Sequence, residues 1–279
     1  MAKIIYDIFD EKLLSNSSYQ YRLSMLLSDV ACSYLIYDNQ QSLAYKSYAL
    51  EAHNRDLFSL KDELELLLST DKMLNLSFSE ISIRHLTSAF TQVPVALFEA
   101  ENPYIYLNIV CPAPASELLK TERCLDEIMN IYLLKIDLHQ YIQHLWPHAN
   151  ITNLFSELVN KCYFHAKKID GDTLFVNFHQ NQMQIIAFRQ AKLHLVNNFT
   201  FQTADDVTYY TLLVINQLGF DPETAVLMLS GHISNNSELY NSIYRYVRNV
   251  DFIETTSNSA FQKDTVFGAY PLHTFYDIN

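Results

Sequence analysis

A few polar residues in this 279-residue chain have the types and spacing that could support chemistry. His144 and His148 are four residues apart, a spacing that places two imidazoles on one helix face, as in zinc sites. Pro147 lies between them and typically ends a helix, so the sequence favours two solvent-facing histidines. The Asp170-Gly171-Asp172 segment could hold a divalent cation, but it is equally typical of a tight turn before a strand. The sequence therefore predicts no metal site at either motif.

Covalent catalysis has little support in the sequence. Ser230 and His232 lie in one segment, but no G-x-S-x-G turn surrounds the serine. Asp205 and Asp206 are predicted at a helix N-terminus, where carboxylates complement the helix dipole without any catalytic role. We therefore expect no catalytic residue.

Glycine is scarce in this chain. It occurs at Gly171, Gly219, Gly231 and Gly268 alone. An average composition of about 7% would give roughly five times as many. Loops that cradle phosphate use glycine to bring backbone N–H groups against the anion. Neither GxxxxGK[ST] nor GxGxxG occurs in the sequence, which argues against the common nucleotide-binding motifs.

Composition limits the compartment and the class of partner. The net charge is -12, from 31 acidic and 19 basic residues, and such a charge repels nucleic acid and anionic membranes. No apolar run approaches the roughly 18 residues of a membrane span. The four cysteines form no C-x-x-C pair, and we find no secretory signal, which indicates reduced thiols. We expect a cytoplasmic protein that binds no nucleic acid and does not span a membrane.

The elements that must position any site follow from the hydrophobic pattern. In the first half, alternating apolar and polar residues predict strands at 21–27, 31–38, 42–50 and 80–86. Leucines at helical spacing, from Leu57 to Leu68, predict a helix between the last two strands, with Asn54 and Asp56 as candidate N-terminal residues. The predicted order is β-β-β-α-β.

The same order returns in the second half. Strands are predicted at 172–178, 183–189, 192–201, 225–230 and 250–253, and a helix at 236–248. A further helix follows Thr203, which forms a capping-box pattern with Asp206, and ends at Gly219. The continuous apolar run Val226-Leu227-Met228-Leu229 predicts a strand buried on both faces.

Between the repeats lies a proline-punctuated segment with a predicted strand at 127–136 and helices at 137–145 and 153–164. We expect a first unit at 1–150, with an irregular insertion around 94–125, and a second unit at 151–279. Tyrosines bracket the last helices, and some of them must reach the surface, where they would mark a partner site. These are Tyr209, Tyr210, Tyr240, Tyr244 and Tyr246.

Three stretches, Phe90–Pro94, Asp172–Arg189 and Asp205–Ser230, carry a resemblance that spans most of the chain. The chain resembles an uncharacterised family of Bacteroidetes proteins with an actin-like ATPase fold, distantly related to pilus-assembly and cell-division proteins. That fold is a duplicated ribonuclease H-like unit. The resemblance implies an α/β protein with two tandem ribonuclease H-like units of β-β-β-α-β-α-β order.

The resemblance also indicates where a nucleotide would bind. Active members of this fold hold phosphates at glycine-containing turns between the first two strands of each unit. Here the first turn, Leu27–Ala31, keeps Asp29 but has no glycine, and the second turn, Phe178–Gln182, has neither an acid nor a glycine. The glycine pair that contacts adenosine corresponds to Ser230-Gly231, where one glycine remains. A bound nucleotide would therefore contact Asp29, Ser230 and Gly231.

We expect a catalytically silent actin-like scaffold for protein–protein association, with no cofactor and with an unidentified protein partner. The alternative is an ATP-binding ATPase or phosphotransferase with a degenerate phosphate site at Asp29 and Gly231. A nuclease-like use of one unit has less support, because the first strands lack the clustered acids that hold two metal ions.

Overall fold

The computed structural model of the chain describes residues 2–11, 13, 21–39, 41–50, 59–112, 114, 116–253 and 265–279. The predicted helix-start residues Asn54 and Asp56 lie outside them. The chain divides into two compact units. The first comprises Met1–Ser156, Asn258–Ala269 and Ile278–Asn279, and the second comprises Glu157–Ser257 and Tyr270–Asp277.

The first unit contains nine of the described strands. They are β1 (Lys3–Phe9), β2 (Arg22–Ser28), β3 (Ala31–Tyr37), β4 (Ser42–Ala49), β5 (Glu80–Leu86), β6 (Phe90–Pro94), β7 (Glu117–Cys124), β8 (Ile128–Lys135) and β9 (Asn150–Asn153). Its described helices are α1 (Leu60–Thr70), α2 (Tyr104–Leu107) and α3 (Ile136–Leu145).

The second unit contains the remaining described strands. They are β10 (Asp172–His179), β11 (Gln182–Arg189), β12 (Lys192–Thr200), β13 (Val226–Gly231) and β14 (Asn249–Phe252). Its helices are α5 (Ala204–Leu218) and α6 (Glu238–Tyr244), and α4 (Leu154–Ala166) spans the division between the units. No helix in the described part of the chain is long and apolar enough to cross a bilayer.

Both main sheets have the same topology. In the first unit the order is β1-β4-β3-β2-β5-β9, and in the second it is β12-β11-β10-β13-β14. The first three strands of each repeat pair antiparallel, and the last two continue the sheet in parallel. Helices α1 and α3 in the first unit correspond in chain order to α5 and α6 in the second. The predicted β-β-β-α-β-α-β repeat is confirmed, with β1 as an added strand.

An insertion separates β5 from α3 in the first unit. It forms a three-stranded antiparallel sheet of order β6-β8-β7 together with the short helix α2. Its small core consists of Val93, Leu107, Ile131 and Leu133. Because this core is separate from the main sheet, the insertion can exist without altering the repeat.

Capping chemistry sets the limits of the helices. In α5, the Asp206 N–H donates to the Thr203 hydroxyl oxygen, and the Thr203 N–H donates to the Asp206 carboxylate. Gly219 ends the helix at φ 64°, as predicted. Helix α1 begins after Ser59, which forms a second capping box with Asp62. Helix α3 ends at Leu145, before Pro147.

The prediction that the run Val226–Leu229 of β13 is buried on both faces is wrong for two of its four residues. Leu227 and Leu229 are at most 1% exposed and pack in the core beneath α5 and α6. Val226 and Met228 are half-buried. Successive strand residues point to opposite faces, and the face that carries Val226 and Met228 is covered less completely.

The outer strands of the sheets are irregular or short. Strand β1 bulges at Ile5, between the pairs Ile4–Tyr48 and Tyr6–Ser47, and β12 shifts register opposite Ala187 and Phe188. Strands β9 and β14 have four residues each. These features leave little regular backbone along β1, β9 and β14, whereas β12 keeps a regular register from Leu195 to Thr200.

Candidate functional site

The first candidate phosphate turn is a tight hairpin between β2 and β3. The Ala31 N–H donates to Ser28 Oγ at 3.1 Å, and the Val30 N–H lies 3.4 Å from the same oxygen. Two backbone donors are therefore used inside the turn rather than presented to a ligand. The predicted site residue Asp29 lies at this turn, and about half of its side chain is exposed.

Asp29 has two titratable neighbours that the sequence did not predict. Lys135 Nζ lies 3.9 Å from Asp29 Oδ1. His85, on β5, is 5% exposed, and burial lowers its pKa to about 4 although Asp29 acts in the opposite direction. Parallel pairing of β2 with β5 brings His85 to the Asp29 turn, and Lys135 comes from the end of β8, so no local sequence pattern connects the three residues.

Lys135 also lines an open cavity of about 500 Å³ in the first unit. The side chains of Glu117 and Asp137 line the same cavity, so its lining carries two carboxylates and one ammonium group. Such a lining favours a cationic group over a phosphate. The full lining is Ser116, Glu117, Lys135, Ile136, Asp137 and Gln140.

The second candidate turn, between β10 and β11, adopts a left-handed conformation without glycine. Gln180 has φ 56°. Positive φ is uncommon for a residue with a Cβ, so Gln180 adopts it at a steric cost. The hairpin register overrides the steric cost that a Cβ carries at positive φ.

A ladder of polar side chains crosses the second unit's sheet beside this turn. Ser230 Oγ donates to Asn177 Oδ1 at 2.9 Å, and Asn177 Nδ2 donates to Gln184 Oε1 at 2.8 Å. Gln184 Nε2 in turn donates to Asn198 Oδ1 at 3.0 Å. The members come from β13, β10, β11 and β12, and their strand register places them in one row. Each amide is thereby fixed in orientation.

A buried carboxylate lies against this ladder. Asp277, from the C-terminal segment, is 1% exposed, and its Oδ2 accepts from Asn177 Nδ2 at 3.3 Å. His179 Nδ1 lies 3.4 Å from the same oxygen, and the ring of His232 lies 5.2 Å from that of His179. The side chains of His179 and Asp277 are almost completely buried.

The electrostatics of this cluster favour a charged Asp277. Burial raises the pKa of Asp277, but the hydrogen bond and charge of His179, with smaller contributions from His232 and Asn177, hold it below its usual range. Burial lowers the pKa of His232 to about 3, and its neighbour His179 acts in the same direction. His232 is therefore a neutral imidazole near neutral pH.

The structure gives Ser230 and Gly231 packing roles. Ser230 Oγ donates its proton to Asn177 and not to a base, so it is not an activated nucleophile. Gly231 has φ 80°, and an added Cβ would lie 2.1 Å from the Phe178 carbonyl oxygen. The N–H of His232 donates to that oxygen at 2.7 Å, and the N–H of Ile233 donates to Gly231 O.

The other sequence candidates do not gather into a site. His144 and His148 are both exposed, and Asp172 is held by a bidentate bond from Arg189. Asp206 caps α5. Among the described residues, no group of three or more His, Cys, Asp and Glu side chains has a geometry that could hold a metal ion.

The comparisons with known proteins identify the family. The profile of a family described as "Protein of unknown function (DUF3822)" matches residues 10–250. The chain belongs to this family. No curated protein matches this family member.

Solved structures establish the fold of this family member. A Bacteroides thetaiotaomicron protein described as having an actin-like ATPase fold and unknown function is 21% identical, with a TM-score of 0.73 over 86% of this chain and 93% of that chain. A chain of the PilM–PilN type IV pilus biogenesis complex is 12% identical, with a TM-score of 0.51 over 83% of this chain and 88% of that chain. At these identities the similarity establishes the fold alone, and the family member has an actin-like ATPase fold.

Sequence reasoning missed the residue that most changes the site. Asp277 lies far along the chain from Asn177 and His179, in a C-terminal segment without a recognisable motif. Its position depends on how residues 270–277 pack on the second unit. No periodicity or spacing signal predicts such a contact.

Proposed function

We propose that this family member is a cytoplasmic, catalytically silent actin-like scaffold for protein–protein association. The observation that carries the proposal is the carboxylate of Asp277 at the candidate phosphate turn of the second unit. A nucleotide phosphate requires donors and positive charge at this place. The Asp277 carboxylate instead places a negative charge there, which repels a phosphate, and it occupies the Asn177 side-chain donor.

The backbone around both turns supports the same proposal. At the first turn, N–H groups donate to Ser28 Oγ, and beside Gly231 they donate to carbonyl oxygens. Phosphate sites of this kind depend on N–H groups that are directed at the ligand. Such groups cannot serve a ligand while they are used internally.

Cytoplasmic placement has support from the cysteines. Cys32, Cys111, Cys124 and Cys162 are all free thiols. Burial raises the pKa of Cys32, Cys124 and Cys162 to about 12, which makes them poor nucleophiles. Free, unreactive thiols are typical of proteins in a reducing compartment.

Exposed aromatic residues on the second unit support association as the role. Tyr209 on α5 is 62% exposed, and Tyr244 and Tyr246, at the end of α6, are 53% and 57% exposed. Tyrosine is enriched at protein interfaces, because its ring contributes apolar area while its hydroxyl tolerates water. A relative of the same fold is present in the PilM–PilN complex, which is itself a protein assembly.

Calorimetric titration with ATP–Mg²⁺ tests catalytic silence. We expect no saturable heat, because N–H groups of the first turn are used internally and a carboxylate lies at the second turn. The rival hypothesis, a degenerate ATPase or phosphotransferase, has support from the half-exposed carboxylate of Asp29. A Kd below about 100 μM that Asp29→Ala abolishes would establish the rival and contradict the proposal. Asp205→Ala, at the exposed start of α5 in the second unit, is the matched control for Asp29 in the first unit.

Comparative affinity isolation from the native cell tests the association role. The double variant Tyr209→Ala, Tyr244→Ala is expected to lose partners that the unaltered protein retains. Tyr104→Ala is the matched control, since Tyr104 is 45% exposed but lies on the insertion in the first unit. Equal recovery of the same partners by all three proteins would contradict a role for the tyrosine surface.

A further inference from the structure

The groups around the Asp277 carboxylate, which we call the cradle, are the side chains of Asn177 and His179 on strand β10. The segment that carries Asp277 does not contribute them. Asn177 is oriented by bonds from Ser230 and to Gln184, and these bonds leave its second amide hydrogen directed at Asp277. His179 is fully buried at the end of β10. The donors are therefore fixed on strands, whereas the carboxylate arrives from residues 270–277.

The burial of this carboxylate requires specific partners. Removing a charged carboxylate from water is costly unless donors and opposite charge replace the solvent. Among the described residues, Asn177 Nδ2 donates a side-chain hydrogen bond to Asp277 Oδ2, and His179 Nδ1 lies 3.4 Å from the same oxygen. The buried carboxylate therefore lies against nitrogen atoms of two strand side chains.

The same cradle fits a carboxylate better than a phosphate. Asn177 Nδ2 donates to the carboxylate and His179 Nδ1 lies 3.4 Å from it, while the nearby N–H groups of His232 and Ile233 are already bonded to Phe178 O and Gly231 O. A phosphate has more acceptor oxygens and more charge than such a set can satisfy. The chemistry is thus that of a carboxylate receptor.

We propose that the polar end of the second unit's sheet is a carboxylate-binding site, occupied in this structure by the chain's own Asp277. The C-terminal segment is then a built-in competitor for a carboxylate from another molecule. This goes beyond the scaffold proposal, because it names the group that the site accepts.

Chemical rescue of an Asp277→Gly variant tests the site with formate as the probe. The variant is expected to melt at a lower Tm than the unaltered protein. Sodium formate should raise the Tm saturably by several degrees, whereas sodium chloride at equal ionic strength should not. The unaltered protein and Asp277→Asn, whose sites remain filled, should show no specific formate effect.

Two further variants make the result specific. Asp277→Gly combined with His179→Leu should lose the rescue, since leucine removes the ring nitrogen that lies beside the carboxylate. Asp205→Gly, at an exposed position, should show no rescue at all. If Asp277→Gly does not fold in chloride, the folded yield on refolding in formate replaces the Tm as the readout.

Two outcomes would overturn the inference. Equal effects of formate and chloride would mean that Asp277 is held by packing alone and that no carboxylate site exists. Stabilisation by inorganic phosphate as strong as that by formate would contradict carboxylate selectivity. Either result can occur with no ATP–Mg²⁺ binding, so failure here is distinguishable from failure of the scaffold proposal.

Discussion

Gly231 is fixed by a steric constraint at the point where β13 passes β10. Its φ of 80° is unfavourable for residues with a Cβ, and the place of that Cβ is already taken by the backbone of Phe178. The parallel register pairs Phe178 with Gly231, so the close approach is part of the sheet. The steric constraint alone explains why glycine occupies this position, and no ligand contact is needed to explain it.

Gly231→Ala is expected to destabilise the protein by about 2–5 kcal/mol, from left-handed strain and overpacking together. Gly219→Ala is the matched control: φ is 64° there, but an added Cβ meets no atom within 4 Å. The control should lose about 1–2 kcal/mol, from strain alone. Denaturant melts measure both losses, and equal values would contradict the steric explanation.

The buried histidine His85 is expected to make the free energy of unfolding fall in mild acid. Burial lowers its pKa in the folded state to about 4, against 6.5 in the unfolded chain. The unfolded state therefore binds more protons between these values. The contribution of neutral His85 to the free energy of unfolding is complete above pH 6.5. It is lost as the pH falls, and the loss reaches about 3 kcal/mol near pH 4.

The non-titrating variant His85→Gln should show a flatter dependence of unfolding free energy on pH between 6.5 and 4. His144→Gln, at an exposed position, is the control and should follow the unaltered protein. Denaturant melts across this pH range provide the measurement. Parallel curves for both variants and the unaltered protein would contradict the assignment to His85.

At the scale of elements, β13 is the strand on which the second unit's core depends. Leu227 and Leu229 belong to the cluster beneath α5 and α6, and the strand lies between β10 and β14. Leu227→Ala is expected to cost about 2–5 kcal/mol in denaturant melts, because it opens a cavity in this cluster. Met228→Ala, on the less covered face, should cost less than half as much. Similar losses would contradict the assignment of faces.

The sequence predicted those elements whose pattern is local. Strands β2 to β5 and β10 to β13 follow two-residue alternation or apolar runs, and α5 carries its own start and stop residues. Strand β1 was missed because its bulge at Ile5 breaks the alternation on which such a prediction depends. Strand β9 was missed because four residues, three of them polar, become a strand only through pairing with β5.

The candidate site was predictable only in part, because sequence patterns report local structure and not long-range packing. The positions of Asp29, Ser230 and Gly231 at strand ends followed from the repeat. The electrostatic interaction of His85 with Asp29 and the contact of Asp277 with His179 depend on long-range packing, which the order of elements does not encode. The unit limits at 1–150 and 151–279 remain a prediction.

For the whole molecule, the net charge of -12 predicts no binding to duplex DNA. Fluorescence anisotropy of a labelled duplex should stay unchanged on addition of micromolar protein, even at low salt. A basic DNA-binding protein titrated under the same conditions provides the positive control. Salt-sensitive binding would show a local basic surface that outweighs the overall charge, contrary to this prediction.

The irregular outer strands restrict the form that any partner can take. An extended peptide binds a sheet by adding a strand, and this requires a long, regular row of free backbone donors and acceptors. Strand β1 interrupts that row with a bulge, and β9 and β14 offer only four residues each. Strand β12 keeps a regular register from Leu195 to Thr200. Among the described edges of the two main sheets, β-augmentation is therefore disfavoured at β1, β9 and β14, and a partner that binds as an added strand is expected at β12.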